Sequence, residues 1–209
     1  MGFQGTRLTG RREGPILPDM LPHLLAALGA YALGCLSPGH LLARARGLDL
    51  RKAGSGSTGA RNAGRLLGRK AFVLVFLLDG AKGALAVGLA RAFGPPGADA
   101  LALVAVVAGH VWPAPLGFRG GRGVSPAVGG LLVLSWKLTG LLALPLLLGW
   151  ALARSFKRGG LLAAVAAPPL AFALRRPLGL GLAEVAACLA VALLLAFTHL
   201  RRAKDAPKA

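Results

Sequence analysis

Residues 71–90 read AFVLVFLLDGAKGALAVGLA, twenty residues holding one acid and one base. A helix of that length rises about 30 Å, the thickness of a bilayer's hydrocarbon core. The run therefore reads as a membrane span, and the two charges inside it need a reason. Asp79 and Lys82 lie three residues apart and share one helix face. Charges at that depth face each other or a pocket. Two readings stand: a self-contained structural pair, or a Lys82 ammonium held out to an anionic substrate.

Six more apolar runs flank this one, at 20–43, 98–116, 124–136, 138–153, 161–174 and 178–200. Those at 124–136 and 161–174 are short for a full crossing, so they are expected to be tilted, broken or extended by their neighbours. The whole chain agrees, with 209 residues of which 55% are hydrophobic and a mean hydropathy of +0.64. The predicted fold class is all-α, a polytopic integral membrane protein of about seven transmembrane helices.

The formal charge is +18, from 25 basic and 7 acidic residues. In a membrane protein such an excess gathers in cytoplasmic loops against anionic head groups, so it is not the footprint of nucleic-acid binding. So few acids argue against a carboxylate-rich metal site. Cys35 and Cys188 lie in apolar runs without metal-ligand spacing and read as small buried hydrophobes. Glu184 has no partner visible in the sequence. With the N-terminus outside and seven alternating helices, seventeen Lys and Arg fall inside and seven outside. That asymmetry predicts an N-out, C-in topology. Residues 1–19 are polar and basic and lack the pattern of a signal peptide, so they read as an extension, with Met20 as the expected native start. Residues 20–202 form one transmembrane domain and 203–209 a cytoplasmic tail.

This topology places two glycine-rich strings on the same, cytoplasmic, face. The first, GSGSTGARNAGR, covers 54–65; its glycines alternate with hydroxyls and are followed by Arg61, Asn62 and Arg65. The second, GFRGGRGVSP at 117–126, packs four glycines and two arginines into seven residues. Glycine lets backbone N–H groups approach a ligand, and arginine adds a forked permanent cation. The combination reads as a cradle for phosphate or carboxylate; the alternatives are a flexible linker and a solvated basic loop. Between the strings lies GHVWP at 109–113, whose His110 is either a hydrogen-bonded structural group or a neighbour of the cradle. Trp112 reads as an interfacial anchor.

Three strings in this order, GSGSTGARNAGR, DGAKG and GHVWP…GFRGGRGVSP, resemble the bacterial acyl-phosphate:glycerol-3-phosphate acyltransferases of the PlsY type. The resemblance runs from about Tyr31 to Ser125, with an echo at His199. It implies a seven-helix inner-membrane enzyme whose active site faces the cytoplasm, acting without metal or cofactor on glycerol 3-phosphate and acyl phosphate. The implied product is lysophosphatidic acid, made for phospholipid biosynthesis. The catalytic residues it implies are Ser55, Asn62, Arg65, Lys82, His110 and His199. The implied substrate-phosphate site is Gly120, Gly121, Arg122, Gly123 and Ser125. Two alternatives are a catalytically impaired paralogue that binds lipid or glycerol phosphate, and a small organic-phosphate transporter. The sequence also departs from the family pattern. Gly-Ser-Ile-Pro reads Gly34-Cys35-Leu36-Ser37, Ser57 replaces Asn, Arg61 replaces Thr, and Arg119 and Arg122 replace lysines. Val-Ala-Thr reads Val124-Ser125-Pro126, and the C-terminal motif keeps His199 without its Asn, Gly and Glu.

Overall fold

The computed structural model describes residues 16–153 and 156–204. The long helices are α1 (Ile16–Cys35), α4 (Arg69–Phe93), α5 (Ala98–Val111), α6 (Val124–Leu134), α7 (Trp136–Ala153), α8 (Phe156–Ala173) and α10 (Leu182–Lys204). Three short ones complete the set: α2 (Pro38–Arg44), α3 (Ala60–Leu67) and α9 (Arg175–Leu178). No strand occurs among the described residues. Each of the seven apolar runs contains a long helix. Among the described residues, four stretches are long and apolar enough to cross a membrane: Met20–Arg44, Arg69–Phe93, Ala98–Leu116 and Leu182–His199.

The boundaries differ from expectation where backbone chemistry intervenes. α1 starts at Ile16, four residues inside the expected extension; residues 1–15 and 205–209 lie outside the described part. The first run is not one helix: it breaks at Leu36–Ser37, because Pro38 has no N–H to continue the ladder and instead opens α2. Pro113 likewise ends the third run as a helix at Val111, leaving a 3-10 turn at Ala114–Leu116. Lys137 does not divide two helices; the division falls at the extended Ser135, and Lys137 lies in the first turn of α7. The segment between the first two apolar runs, which carries the 54–65 string, contains α3, whose Ala60 and Ala63 pack with Leu50 and Val75.

Close packing comes from small residues. A methyl group at Gly34 of α1 would meet the Val106 carbonyl of α5, and one at Gly109 would meet the Tyr31 carbonyl in return. α4 and α6 interlock the same way: a Cβ at Gly83 would strike the Pro126 carbonyl, and one at Gly129 the Gly80 carbonyl. In lipid the hydrophobic effect gives no drive for helix pairing, so such contacts and their dispersion energy hold the bundle. The central core is Val87, Leu103, Val106, Val107 and Ala127. A second cluster, Leu138, Leu142, Ala171 and Cys188, joins α7, α8 and α10. Outside it, Leu24, Leu25, Leu28, Leu77 and Leu89 are exposed, as a lipid-facing surface requires.

Candidate functional site

The site begins at the break between α1 and α2. In a continuous helix the carbonyl of Gly34 would accept from residue 38, but Pro38 has no proton to give. Lys82 of α4 fills the gap: its Nζ donates to Gly34 O at 3.0 Å and also to Leu36 O. Nζ lies 2.8 Å from Asp79 Oδ1 and 2.9 Å from His110 Nδ1 of α5, and His110 Nδ1 lies 3.3 Å from Asp79 Oδ1. All three groups are buried, Asp79 at 1%, Lys82 at 6% and His110 at 5% exposure. The two charges thus compensate each other, and the irregular backbone is satisfied from the side.

Above this cluster the two glycine strings meet. Thr58 N donates to Gly120 O at 3.3 Å, Gly120 N to Val111 O at 3.1 Å, and Gly121 N to His110 O at 2.9 Å. Gly121 lies directly against the imidazole, where any Cβ would overlap Nε2. A Cβ at Gly59 would lie 3.7 Å from Gly121 Cα and 3.9 Å from His110 Nε2. Gly59 is the N-cap of α3, and Gly123, at φ +86, is the N-cap of α6. A side chain at Gly123 would be strained and would press on Val107 and Leu195. The α3 N-terminus therefore lies near His110, and the α6 N-terminus lies beside Val107 and Val111 of the same helix α5. The N–H groups of Gly120 and Gly121 are used internally, so these glycines contribute space and close approach, not free donors.

The rest of the first string is shaped by Asn62, which is 1% exposed. Its Oδ1 accepts from Ser55 N at 2.9 Å, and its Nδ2 faces the carbonyls of Leu50, Ala53 and Ser57 at 3.2, 3.0 and 2.9 Å. Asn62 thus holds the 50–57 loop from behind. Asp49 anchors the start of this loop through Arg51, with Oδ2 to Nη2 at 2.8 Å. Hydrogen bonds from the Arg51 side chain and backbone, and its charge, hold the Asp49 carboxyl well below the usual carboxylate range. Ser55, Arg61 and Arg65 are exposed at the rim.

The C-terminal helix closes the other side. Thr198 Oγ1 lies 3.3 Å from Arg122 O and 2.9 Å from Leu195 O, and Phe197 packs on Trp112 with ring centres 6.1 Å apart. His199 is half-buried, and its Nδ1 lies 2.8 Å from the Leu195 carbonyl of its own helix. Arg122 is half-buried and Arg119 exposed; Ser125 is half-buried in the first turn of α6. The structure therefore brings together Lys82, His110, Gly120, Gly121, Arg122 and, through Thr198, the α10 end bearing His199. It leaves Ser55 and Arg65 on the open side. Residues that sequence reasoning passed over include the buried Thr58, the Asp49–Arg51 anchor and the Gly34 carbonyl. The spacing of Pro38 four residues after Gly34 was the signal for the last of these.

Residues 24–206 match the family model for glycerol-3-phosphate acyltransferase. The chain is 47% identical over 156 residues to glycerol-3-phosphate acyltransferase 1 of Desulfitobacterium hafniense (strain Y51), covering 74% of this chain and 77% of that protein. It is 46% identical over 163 residues to the glycerol-3-phosphate acyltransferase of Synechococcus sp. (strain JA-3-3Ab), covering 78% and 80%. Among solved structures it resembles PlsY (YgiH), an integral membrane glycerol 3-phosphate acyltransferase, in its glycerol 3-phosphate form. The TM-score is 0.79 at 30% identity, over 87% of this chain and 90% of the other. The lysophosphatidic acid form of PlsY matches with a TM-score of 0.77 at 29% identity, over the same shares.

Proposed function

The chain belongs to the glycerol-3-phosphate acyltransferase family, and we propose that it joins an acyl group from acyl phosphate to the 1-hydroxyl of glycerol 3-phosphate. It is an all-helical integral membrane protein, and the reaction yields lysophosphatidic acid and inorganic phosphate for phospholipid synthesis. One observation carries the reading on the side of the geometry. The strings 54–65 and 117–123, far apart in sequence, dock on each other through Thr58 and Gly120 over the buried His110.

The chemistry suits such a site. Both substrates are anions, and attack on the acyl carbon builds negative charge on the acyl oxygen and the departing phosphate. The oxygen–acyl bond forms, the bond from the acyl carbon to the phosphate oxygen breaks, and phosphate leaves. A phosphate oxygen of the substrate takes the hydroxyl proton, so no side-chain base is needed. Acyl phosphate is already activated, which leaves positioning and electrostatic stabilisation as the protein's task. In this reading Arg122 neutralises the acceptor's phosphate, with the α6 N-terminus at Gly123 to Ser125 beside it. Gly120 and Gly121 leave room for it. Ser55 and Arg65 engage the substrates from the open rim, and Asn62 keeps the first loop in shape. Lys82 acts from below through His110, and His199 bounds the site from α10.

The site faces the cytoplasm of a bacterial inner-membrane protein. The seventeen-to-seven distribution of Lys and Arg supports that orientation, as does the gathering of both strings at one end of the bundle. Residues 20–202 act as one transmembrane domain. Purified protein in lipid vesicles should release inorganic phosphate from acyl phosphate only when glycerol 3-phosphate is present. Arg122→Ala and Ser55→Ala should each lower that release by at least about tenfold, the worth of one charge-assisted contact. Binding of glycerol 3-phosphate without turnover would point to the impaired paralogue instead.

A further inference from the structure

One residue of the second glycine string has a backbone conformation that disfavours its own side chain. Phe118 has φ +60, and among the described residues no other non-glycine residue has a positive φ. In that left-handed region a Cβ crowds the following carbonyl oxygen, so a side chain is penalised where glycine is not. The surrounding hydrogen bonds enforce the conformation. Phe118 N donates to Pro113 O at 3.0 Å, Gly120 N to Val111 O at 3.1 Å and Gly121 N to His110 O at 2.9 Å. Arg51 Nη1 adds a contact to the Leu116 carbonyl at 3.5 Å. The fold recovers little of the cost from the ring, since Phe118 is 61% exposed. A phenyl held in an unfavourable conformation, with most of its surface outside the fold, points to a contact with something other than the protein.

Its surroundings indicate what that contact is. The other exposed side chains of 54–65 and 117–123 are Ser55, Arg61, Arg65 and Arg119, one hydroxyl and three cations suited to phosphate. Phe118 is the one apolar side chain that these strings expose. An acyl phosphate is a phosphate joined to an alkyl chain. To bring its carbonyl to this polar end of the bundle, it must draw the first methylenes of that chain out of the hydrocarbon, and there they need apolar cover. We propose that Phe118 covers those methylenes and is a specificity-determining residue for the alkyl part of the acyl phosphate. The cations of the rim hold the phosphate, and the ring, fixed by its backbone, holds the start of the chain. This inference rests on the acyltransferase reading for the identity of the substrate.

Steady-state kinetics of the full chain in lipid nanodiscs test it, with glycerol 3-phosphate as acceptor. Phe118→Ala should raise KM for palmitoyl phosphate at least about fivefold, the worth of little more than one covered methylene. Acetyl phosphate carries no methylene. Its constant, as substrate or competitor, should change less than about twofold in the same variant, as should KM for glycerol 3-phosphate. Phe118→Leu keeps an apolar side chain and should recover most of the loss. Phe118→Gly should match Phe118→Ala in kinetics yet unfold no more readily than wild type, because it sheds the strained Cβ. An unchanged KM for palmitoyl phosphate in Phe118→Ala would overturn the inference. An equal change for both acyl phosphates would overturn it too, making Phe118 a general anchor at the membrane surface. A Phe118→Gly protein that unfolds more readily would do the same, since the ring would then be a packing residue. Each of these results, with wild-type turnover intact, sinks the inference alone. Wild-type protein that releases no phosphate from palmitoyl phosphate would sink the acyltransferase reading and this inference with it.

Discussion

α4 meets α5 through charged groups twice, once at the middle of α4 and once near its C-terminal end, and the two contacts differ in kind. At the middle Asp79, Lys82 and His110 are sealed from solvent and lipid alike, with 1%, 6% and 5% exposure. Near the C-terminal end Arg91 pairs with Asp99 at 2.9 Å with the arginine side chain 45% exposed, while the guanidinium also reaches the Val133 and Leu134 carbonyls at the end of α6. Both sets satisfy carbonyls that a helix end leaves bare. Only the buried set does so where water cannot substitute. A charge at the rim supplements the solvent; a charge at depth replaces it.

That contrast can be broken most severely at Asp79. Asp79→Ala strands the Lys82 ammonium in a buried site, and the expected loss is about 3–5 kcal/mol of stability, read as lowered resistance to unfolding in mixed detergent micelles. Activity should fall with it, since His110 loses its support. A loss under about 1 kcal/mol would mean that water reaches the cluster. The loop side tests the same network more gently. Gly121→Ala inserts a Cβ into the His110 ring, so the expected cost is about 1–3 kcal/mol from overpacking, with phosphate release reduced far more than stability would explain. Smallest of all should be Arg91→Ala. An ion pair this exposed is worth about 0–1 kcal/mol, so the same unfolding assay should shift little and turnover should stay at the wild-type level. A large effect there would show that capping α6 matters more than the exposure suggests.

Much of this arrangement was legible beforehand. Each apolar run is built around a long helix because length and hydropathy leave a membrane segment few other ways to satisfy its backbone. The three-residue spacing of Asp79 and Lys82 declared a shared face, and the two glycine strings did converge. What escaped was whatever depends on partners distant in sequence. Nothing near Lys82 announces that two of its acceptors are the carbonyls of Gly34 and Leu36, 48 and 46 residues away. Asn62 reads as a ligand donor beside its arginines, yet its amide is spent on four backbone groups of the preceding loop. α3 was hidden by its glycines, since its helical state depends on Ala60 and Ala63 packing beside Val75, not on propensity. The departures Arg119 and Arg122 find a simple setting: one is exposed and the other lies beside α10, positions where a cation fits with either geometry.

The missing amide of Pro38 also bears on how the protein is made. A nascent chain that has emitted only its first span carries open carbonyls at Gly34 and Leu36, and the donor that closes them is encoded more than forty residues later. In hydrocarbon each such open group costs several kcal/mol. The first span therefore reaches its final kinked shape only after α4 has entered the bilayer beside it. The shape of the first span thus depends on one later event, the arrival of a single lysine.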